Sequence, residues 1–549
     1  MKNFTCLIFF ICSTLFSQSK SNLTRESYKF PQERIAVHYN NELLVTGEKL
    51  YYKIYCFDQN KQFSNYSKIA YIELRSSENK TITKHKVSLD SGTGYGDFFI
   101  NAKVKTGAYK LICYTKWMKN YGNYFENTVF IVNPFADKIT TTANIEVVPE
   151  TRDNFNLNNK ISTNKRNYSK REKVSLNLEK IEVLASSNLS ISIKKQENFK
   201  LPFENTEMSK LNINPNTKLI FLPELRGNII KGRIENVKNK TVANKPVSLS
   251  INHEHLPLIA TTNNVGEFYF NISNLNANKI YLQILDTYAA EYQIKLLPDE
   301  DVRKEINIDI PIQLTQNTIN TIKARSIYTQ IENAYYKVKK DSIQPLRYKD
   351  SLFSRRKNTY KLDDYKRFKS LKETFVEIIT SAKIRTIDQK QRIIAPSEDI
   401  KTTGFIGNIP SLLIVDGHIV HDHDSFMNFD CSKINTIAVV NDKYCYGNSI
   451  YQGITFIDTF KKDYTPISSA VKEFKVIQVQ PKKEYFFENY TTSKKRIPDY
   501  RTQLYWNPNV SEKEIDFYTS DVTGNYQVIV KGYTKKGKPI IFNTIFSVQ

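Results

Sequence analysis

Between residues 34 and 135, short runs of β-branched and aromatic residues follow one another at hairpin spacing. This pattern limits what the chain can fold into more than any other. The runs KLYYKIYCF, KIAYIELRS, HKVSLDSG, GDFFINAKV, GAYKLICYTKWM and TVFIVNPF are each strand-sized and are separated by turn residues. Such spacing predicts an antiparallel β-sandwich. Within it, SGTGYGDFF carries glycines at 92, 94 and 96. A phosphate-cradling loop sits between a strand and a helix, whereas strands flank this stretch on both sides, so turn or bulge glycines are expected.

The same signature recurs. KISTNKRNYSKREKVSLNLEKI and LSISIKK lie in a second β region at about 144–223, and a third begins at LPELRGNIIKGRIENVKNK and runs to IYLQILD. In the third, Gly266-x-Phe-x-Phe enters an alternating strand, and NHEH places His253 and His255 two apart, which reads as a polar strand end. From about 301 to 394 the chain is charged and free of glycine. There KSLKETFVEIITSA sets Leu371, Phe375, Ile378 and Ile379 at helical spacing with acids early. Short α and β units follow, and LYWNPNV, EIDFYTSDVTGNYQVIVKGYT and KPIIFNTIFSVQ close the chain as a small β element. At 549 residues, several domains are expected rather than one core.

MKNFTCLIFFICSTLFSQSK has Lys2, an apolar run to Phe16 and then small polar residues. That order predicts a secretory signal peptide over residues 1–19 and an exported protein, periplasmic or associated with the outer membrane. Phe10 and Ile11 stand before Cys12 where lipoprotein cleavage needs small residues. No later run approaches the ~20 apolar residues of a membrane-spanning helix. The formal charge of +23 is spread along the chain, with only 337–369 concentrating lysine. This argues against a nucleic-acid partner and leaves a basic surface suited to acidic headgroups or glycans. Beyond the signal, Cys56, Cys113, Cys431 and Cys445 remain. They allow three pairings, or free thiols, with pairs inside one domain favoured among the bonded alternatives.

The candidate chemical site is VDGHIVHDHDSF (415–426), which holds three of the seven histidines. His418, His421, His423 and Asp424 form the candidate metal set, with Cys431 or Cys445 as a further donor. Zinc or copper held adventitiously is the expected cofactor chemistry there, and no resident cofactor is expected. Read in its setting, 412–415 is a buried strand, Asp416-Gly417 a tight turn, and 418–420 a return strand. No nucleophile elbow, Walker loop, dinucleotide fingerprint or CxxC pair is present, so no catalytic residue is assigned.

Several stretches carry resemblances. AVHYNNELLVTGEKLYYKIYCFD, GDFF, TGAYKLICYTKWM and VFIVNP resemble the macroglobulin (MG2-like) domains of Bacteroidota envelope proteins, and NKRNYSKREKVSLNL is similar to the start of a second such domain. Residues 226–297 resemble a carboxypeptidase-regulatory-like sandwich. DDYKRFKSLKETFVEII, PSLLIVDGHIVHD and YQGITFIDTF resemble the plug domain of TonB-dependent receptors. Only about 90 residues follow Thr459, too few for a receptor barrel. Cys56-Phe57-Asp58-Gln59 lacks the Gly-Glu of the macroglobulin thioester motif, so covalent trapping is not implied.

The expected fold class is mainly β: tandem macroglobulin- or Ig-like sandwiches, then a small α+β plug-like domain and a C-terminal β element. The expected divisions are 22–137, first macroglobulin-like sandwich; 138–223, second; 224–300, regulatory-like sandwich; 301–369, charged, partly helical linker; 370–465, plug-like domain; and 466–549, C-terminal β element. The implied function is a non-enzymatic envelope interaction or adaptor module whose partner is an outer-membrane receptor or transport complex. The alternatives are a metal- or small-ligand-binding protein using the turn at 418–424, and a hydrolase with an unrecognised site.

Overall fold

The computed structural model describes residues 30–135, 160–181, 184–197, 205–211, 220–273, 277–286, 288–297, 316–344, 358–396, 409–447, 449–466, 471–491 and 496–549. The signal-peptide stretch lies outside these residues. The fold is mainly β, built of sandwiches as the hairpin-spaced runs predict. In the first sandwich, Glu33–Tyr39, Lys49–Asp58 and Thr93–Phe99 form one antiparallel sheet. The opposing sheet runs Leu43–Val45, Phe125–Val132, Gly107–Thr115, Ile69–Ser76, Thr81–Ser88. Ile35, Leu50, Tyr52, Ile54, Ile72 and Leu111 fill the space between them.

Strand Lys49–Asp58 is buried nearly throughout rather than at alternate positions. Tyr52, Ile54 and Cys56 point into the sandwich core. Tyr55 and Phe57 instead pack with Tyr533 in a separate cluster, against the second sandwich. A strand covered on both faces reads as a continuous apolar run, which is what KLYYKIYCF shows.

The second sandwich is assembled from two distant parts of the chain. One sheet has the order Asn167–Tyr168, Pro539–Val548, Gly524–Thr534, Ser187–Lys195, Gln503–Val510, and the facing sheet is Glu514–Tyr518, Lys173–Asn177, Ser162–Thr163. Ser187–Lys195 has C-terminal strands on both of its edges. The divisions at 138–223 and 466–549 therefore do not correspond to separate units here, since strands from both complete one sheet. The physical reason is that the strands of 160–195 present open edges and an apolar face that only the chain's end covers. Arg171 and Asp521, 350 positions apart, make a bidentate pair across the closure.

The third sandwich sets Glu267–Ile272, Asn228–Asn236 and Tyr292–Leu296 against Leu258–Thr261, Pro246–Ser250, Lys279–Ile284 and Val471–Lys475. The last strand comes from beyond the α/β unit and adds to the sheet edge beside Lys279–Ile284. Gly266, at φ +74°, lies where a Cβ would meet Val242 N at 2.9 Å, which accounts for glycine ahead of Phe268 and Phe270.

The α/β unit has the sheet order Asn358–Lys361, Ile434–Tyr446, Ser449–Thr459, Leu412–Val415, His418–Ile419, with Leu412–Val415 parallel to Ser449–Thr459. Helix Leu371–Glu377 starts with a Ser370/Glu373 capping box and buries Leu371 and Phe375. Ile378 and Ile379, also read as helical-face residues, are buried just past its end.

Within the stretch expected to be a linker, helix Gln316–Ala334 docks on the first sandwich. Its buried Arg325 pairs with Glu48 and Glu197 and donates to Leu43 O. Among the described residues no helix is long and apolar enough to cross a membrane. Trp117 and Trp506 are both core residues. The four cysteines are free thiols, with Cys445 alone exposed.

Candidate interaction cleft

The histidine cluster resolves into separate structural duties. Asp416 and Gly417 have φ of +45° and +81°, as a two-residue hairpin turn requires. The Asp416 carboxylate is buried and accepts from Thr459 N, Thr459 Oγ1 and Tyr464 N, tying the turn to the neighbouring strand. Gly417 abuts the third sandwich so closely that a Cβ would come within 2.1 Å of Asn252 O. His418 is buried edge-on to Tyr281 of that sandwich, at 4.9 Å between rings. Its Nδ1 has no hydrogen-bond partner among the described residues, and burial pulls its pKa down to about 4.

His423 accepts the Ile393 N–H at Nδ1 (3.0 Å), and Asp424 accepts the Gln391 N–H at 2.9 Å. Both N–H groups belong to Lys390–Ile394, one strand of a two-stranded hairpin, so the His-Asp pair bonds the edge that faces away from Lys383–Ile387. Burial pulls His423 down to about 3. His421 is exposed. Among the described residues no group of three or more His, Cys, Asp or Glu side chains is placed to hold a metal ion. The four residues of the candidate metal set are thus neighbours in sequence whose side chains are not gathered around one point. His255, in the NHEH stretch, bonds Asn252 Oδ1 through its own Nδ1.

The larger feature lies where the first and second sandwiches meet. A cleft of about 610 Å³ runs between strand Glu33–Tyr39 and the outer face of the second sandwich's sheet. That volume is within the range of small-ligand sites, which favour domain junctions. Alternation along the strands builds the wall: Val528 and Val530 point into the second core, leaving Gln527, Ile529 and Lys531 to line the cleft.

Three bases, His38 and Lys53 buried and Lys194 half-buried, stitch the two sandwiches together beside it. Lys53, about 1% exposed, donates to Leu189 O (3.2 Å) and Asn509 Oδ1 (3.4 Å). Leu189 sits at a register shift in its strand pairing, so the ammonium serves a carbonyl at an irregular point of the ladder. With only neutral acceptors and the Tyr55 ring beneath it, burial brings Lys53 down to about 7. Lys194 donates to Asn40 O and Asn41 Oδ1 and is lowered to about 8, again by burial. His38 Nδ1 and Ser190 Oγ share a 2.6 Å hydrogen bond, and burial with the charges of Lys531, Lys194 and Lys53 holds the imidazole well below its usual value.

The Ser190–His38 pair has the composition of an activated nucleophile, and its geometry says otherwise. Nucleophilic catalysis needs an accessible hydroxyl whose proton passes to the base. Ser190 is fully buried, and its Oγ also lies 2.8 Å from Tyr55 OH and 3.1 Å from Lys531 O. The cluster is a polar bridge between the sandwiches. Sequence reading missed it because the contributing positions are scattered along the chain. One signal was available: Lys53 stands in an otherwise apolar run, where a charge must find partners on the buried outer face.

The fold thus defines a mainly β protein of tandem sandwiches whose second member is closed by the chain's end. No family model matches the chain, and no curated protein matches it. Among solved structures, the chain is similar to an α2-macroglobulin from Salmonella at 8% identity and TM-score 0.24, covering 94% of this chain and 40% of that one. A similar likeness holds to Escherichia coli α2-macroglobulin activated by porcine elastase (7%, TM-score 0.23, 94% of this chain and 44% of that one). A third is to dimeric latent PorU from Porphyromonas gingivalis (9%, TM-score 0.17, 48% and 33%). This chain spans under half the length of these proteins, and likenesses this low in TM-score carry no argument.

Proposed function

We propose that this protein is a non-enzymatic, exported cell-envelope protein acting as an interaction or adaptor module for outer-membrane receptor or transport machinery. The observation that carries the reading is the interlocking of its parts. The chain's end completes the second sandwich, Val471–Lys475 completes the third, and Gly417 and His418 seat the plug-like unit against the third sandwich. A unit held this way against its neighbour suits a fixed platform, and the junction between the first two sandwiches supplies a concave surface of about 610 Å³. The basic balance of the chain, +23, favours acidic surfaces nearby.

The test is photo-crosslinking in cells that express the full chain, with the probe at Lys195 or Gln527 on the cleft wall and at Lys475 on the third sandwich as a remote control. Specific adducts to one outer-membrane protein from the cleft positions support the reading. Recovery of the protein free in the periplasm, without adducts from any position, counts against it.

A further inference from the structure

The inner end of the junction cleft carries more positive charge than its own carboxylates neutralise. His38 is more than nine-tenths buried, lines the cleft, and spends Nδ1 on Ser190. Its Nε2 has no hydrogen-bond partner among the described residues, and the Lys531 ammonium has neither a hydrogen-bond nor an ion-pair partner there. Lys53 and Lys194 stand behind them with neutral acceptors only. Of the nearby acids, Glu197 is committed to Arg325 and Glu42 accepts from Asn205 Nδ2. Glu207 lines the cleft.

We propose that this cleft binds a carboxylate-bearing ligand, its carboxylate between His38 Nε2 and Lys531 Nζ and its apolar portion along Ile529, Tyr533 and Ile541. The proposal rests on reading the chain as an interaction module, and it names the chemistry that module recognises. Ser190 Oγ is shared by Tyr55 OH (2.8 Å), Lys531 O (3.1 Å) and His38 Nδ1, and in the proposed tautomer Nδ1 accepts from Ser190. Nε2–H is then the ring's remaining donor, and Lys531 adds a charge-assisted hydrogen bond. Glu42 and Glu207 set the charge limit: a monoanion is matched, while a phosphate dianion meets acids on the same wall. Ile541, 42% exposed, gives the apolar portion a surface to cover. The carboxylate can come from a polypeptide C-terminus or from a small organic acid.

The test uses the full chain in calorimetric titrations with an N-acetylated tripeptide of apolar residues, its C-terminal amide, acetate and inorganic phosphate. The acid peptide is expected to bind at least about tenfold tighter than its amide, with phosphate weaker than the acid peptide. Lys531→Gln and, separately, His38→Gln should bring the acid peptide to the level of the amide. Lys531→Gln is the decisive variant, since its side chain makes no bond that holds the fold, and unchanged tryptophan emission checks that. A peptide acid that outbinds acetate assigns the site to polypeptide termini; equal binding per molecule assigns it to small acids. Equal affinity for acid and amide, no binding of any probe, or an unaltered Lys531→Gln variant would overturn the proposal. Cleft-specific adducts in cells would survive that failure, which separates it from failure of the adaptor reading.

Discussion

Replacing Lys53 by methionine should stabilise the junction at neutral pH and destabilise it at high pH. Lys53 is fully buried, has no carboxylate partner, and has a pKa near 7 in the folded chain against 10.5 for a lysine in water. The folded state therefore disfavours the proton. Between about pH 7 and pH 10.5 the unfolded chain binds more of it, so stability rises with pH across that window by up to ~1.4 kcal/mol per unit. Below pH 7 both states are charged and the penalty stays constant, of order 5 kcal/mol. Lys53→Met removes this penalty and leaves Leu189 O and Asn509 Oδ1 without their donor, a loss of ~1–3 kcal/mol.

The variant should thus be the more stable form near pH 7 and the less stable one near pH 10. Trp506, buried and stacked on Tyr51 at this junction, reports the transition in urea titrations once Trp117 is replaced by phenylalanine in both forms. A stability difference that stays constant from pH 7 to pH 10 would mean that burial does not lower the Lys53 pKa.

Arg325→Ala leaves Glu48 and Glu197 facing each other without their shared cation. It should weaken docking of helix Gln316–Ala334 by ~3–5 kcal/mol, read as faster amide exchange confined to that helix. Because His423 is held near 3, acid should destabilise the α/β unit as pH falls from about 6.5 towards 3, by up to ~1.4 kcal/mol per unit. His423→Gln, which keeps an acceptor for Ile393 N–H, should make that dependence shallower in pH-jump unfolding, leaving the share of His418, which is held near 4. Asp416→Ala removes three hydrogen bonds from a turn at positive φ and should cost about 2–4 kcal/mol, measured as a lowered unfolding midpoint of the α/β unit. Gly417→Ala should loosen the seat on the third sandwich, because its Cβ meets Asn252 O; protease nicking between the two units is the readout.

The sandwich architecture was legible in sequence because strands covered on one face alternate and turns carry glycine, asparagine and aspartate. The Asp416-Gly417 hairpin was legible for the same reason: its residues are those that tolerate positive φ. Closure of the second sandwich was not, since nothing local in SNLSISIKK says that its partners are Gln503–Val510 and Gly524–Thr534. Pairing over such separations leaves no periodic trace. The histidines misled through proximity: His418, His421 and His423 are adjacent along the chain, yet one packs on Tyr281, one is exposed, and one caps a strand edge. The junction cluster of His38, Lys53, Ser190 and Lys194 stayed hidden because it unites scattered strands; only Lys53 in KLYYKIYCF betrayed it.

One sandwich is built from both the early and the final strands of the chain. Lys173 Nζ and Asp516 Oδ2 lie 2.8 Å apart across that pairing, and both are about half exposed. A zero-length carbodiimide reagent joins an amine to a carboxylate only when the two are in contact. Treatment of the intact protein followed by peptide mass mapping should therefore yield a Lys173–Asp516 link, alongside the local Lys165–Glu172 link as a positive control. The local link without the distant one would contradict the closure.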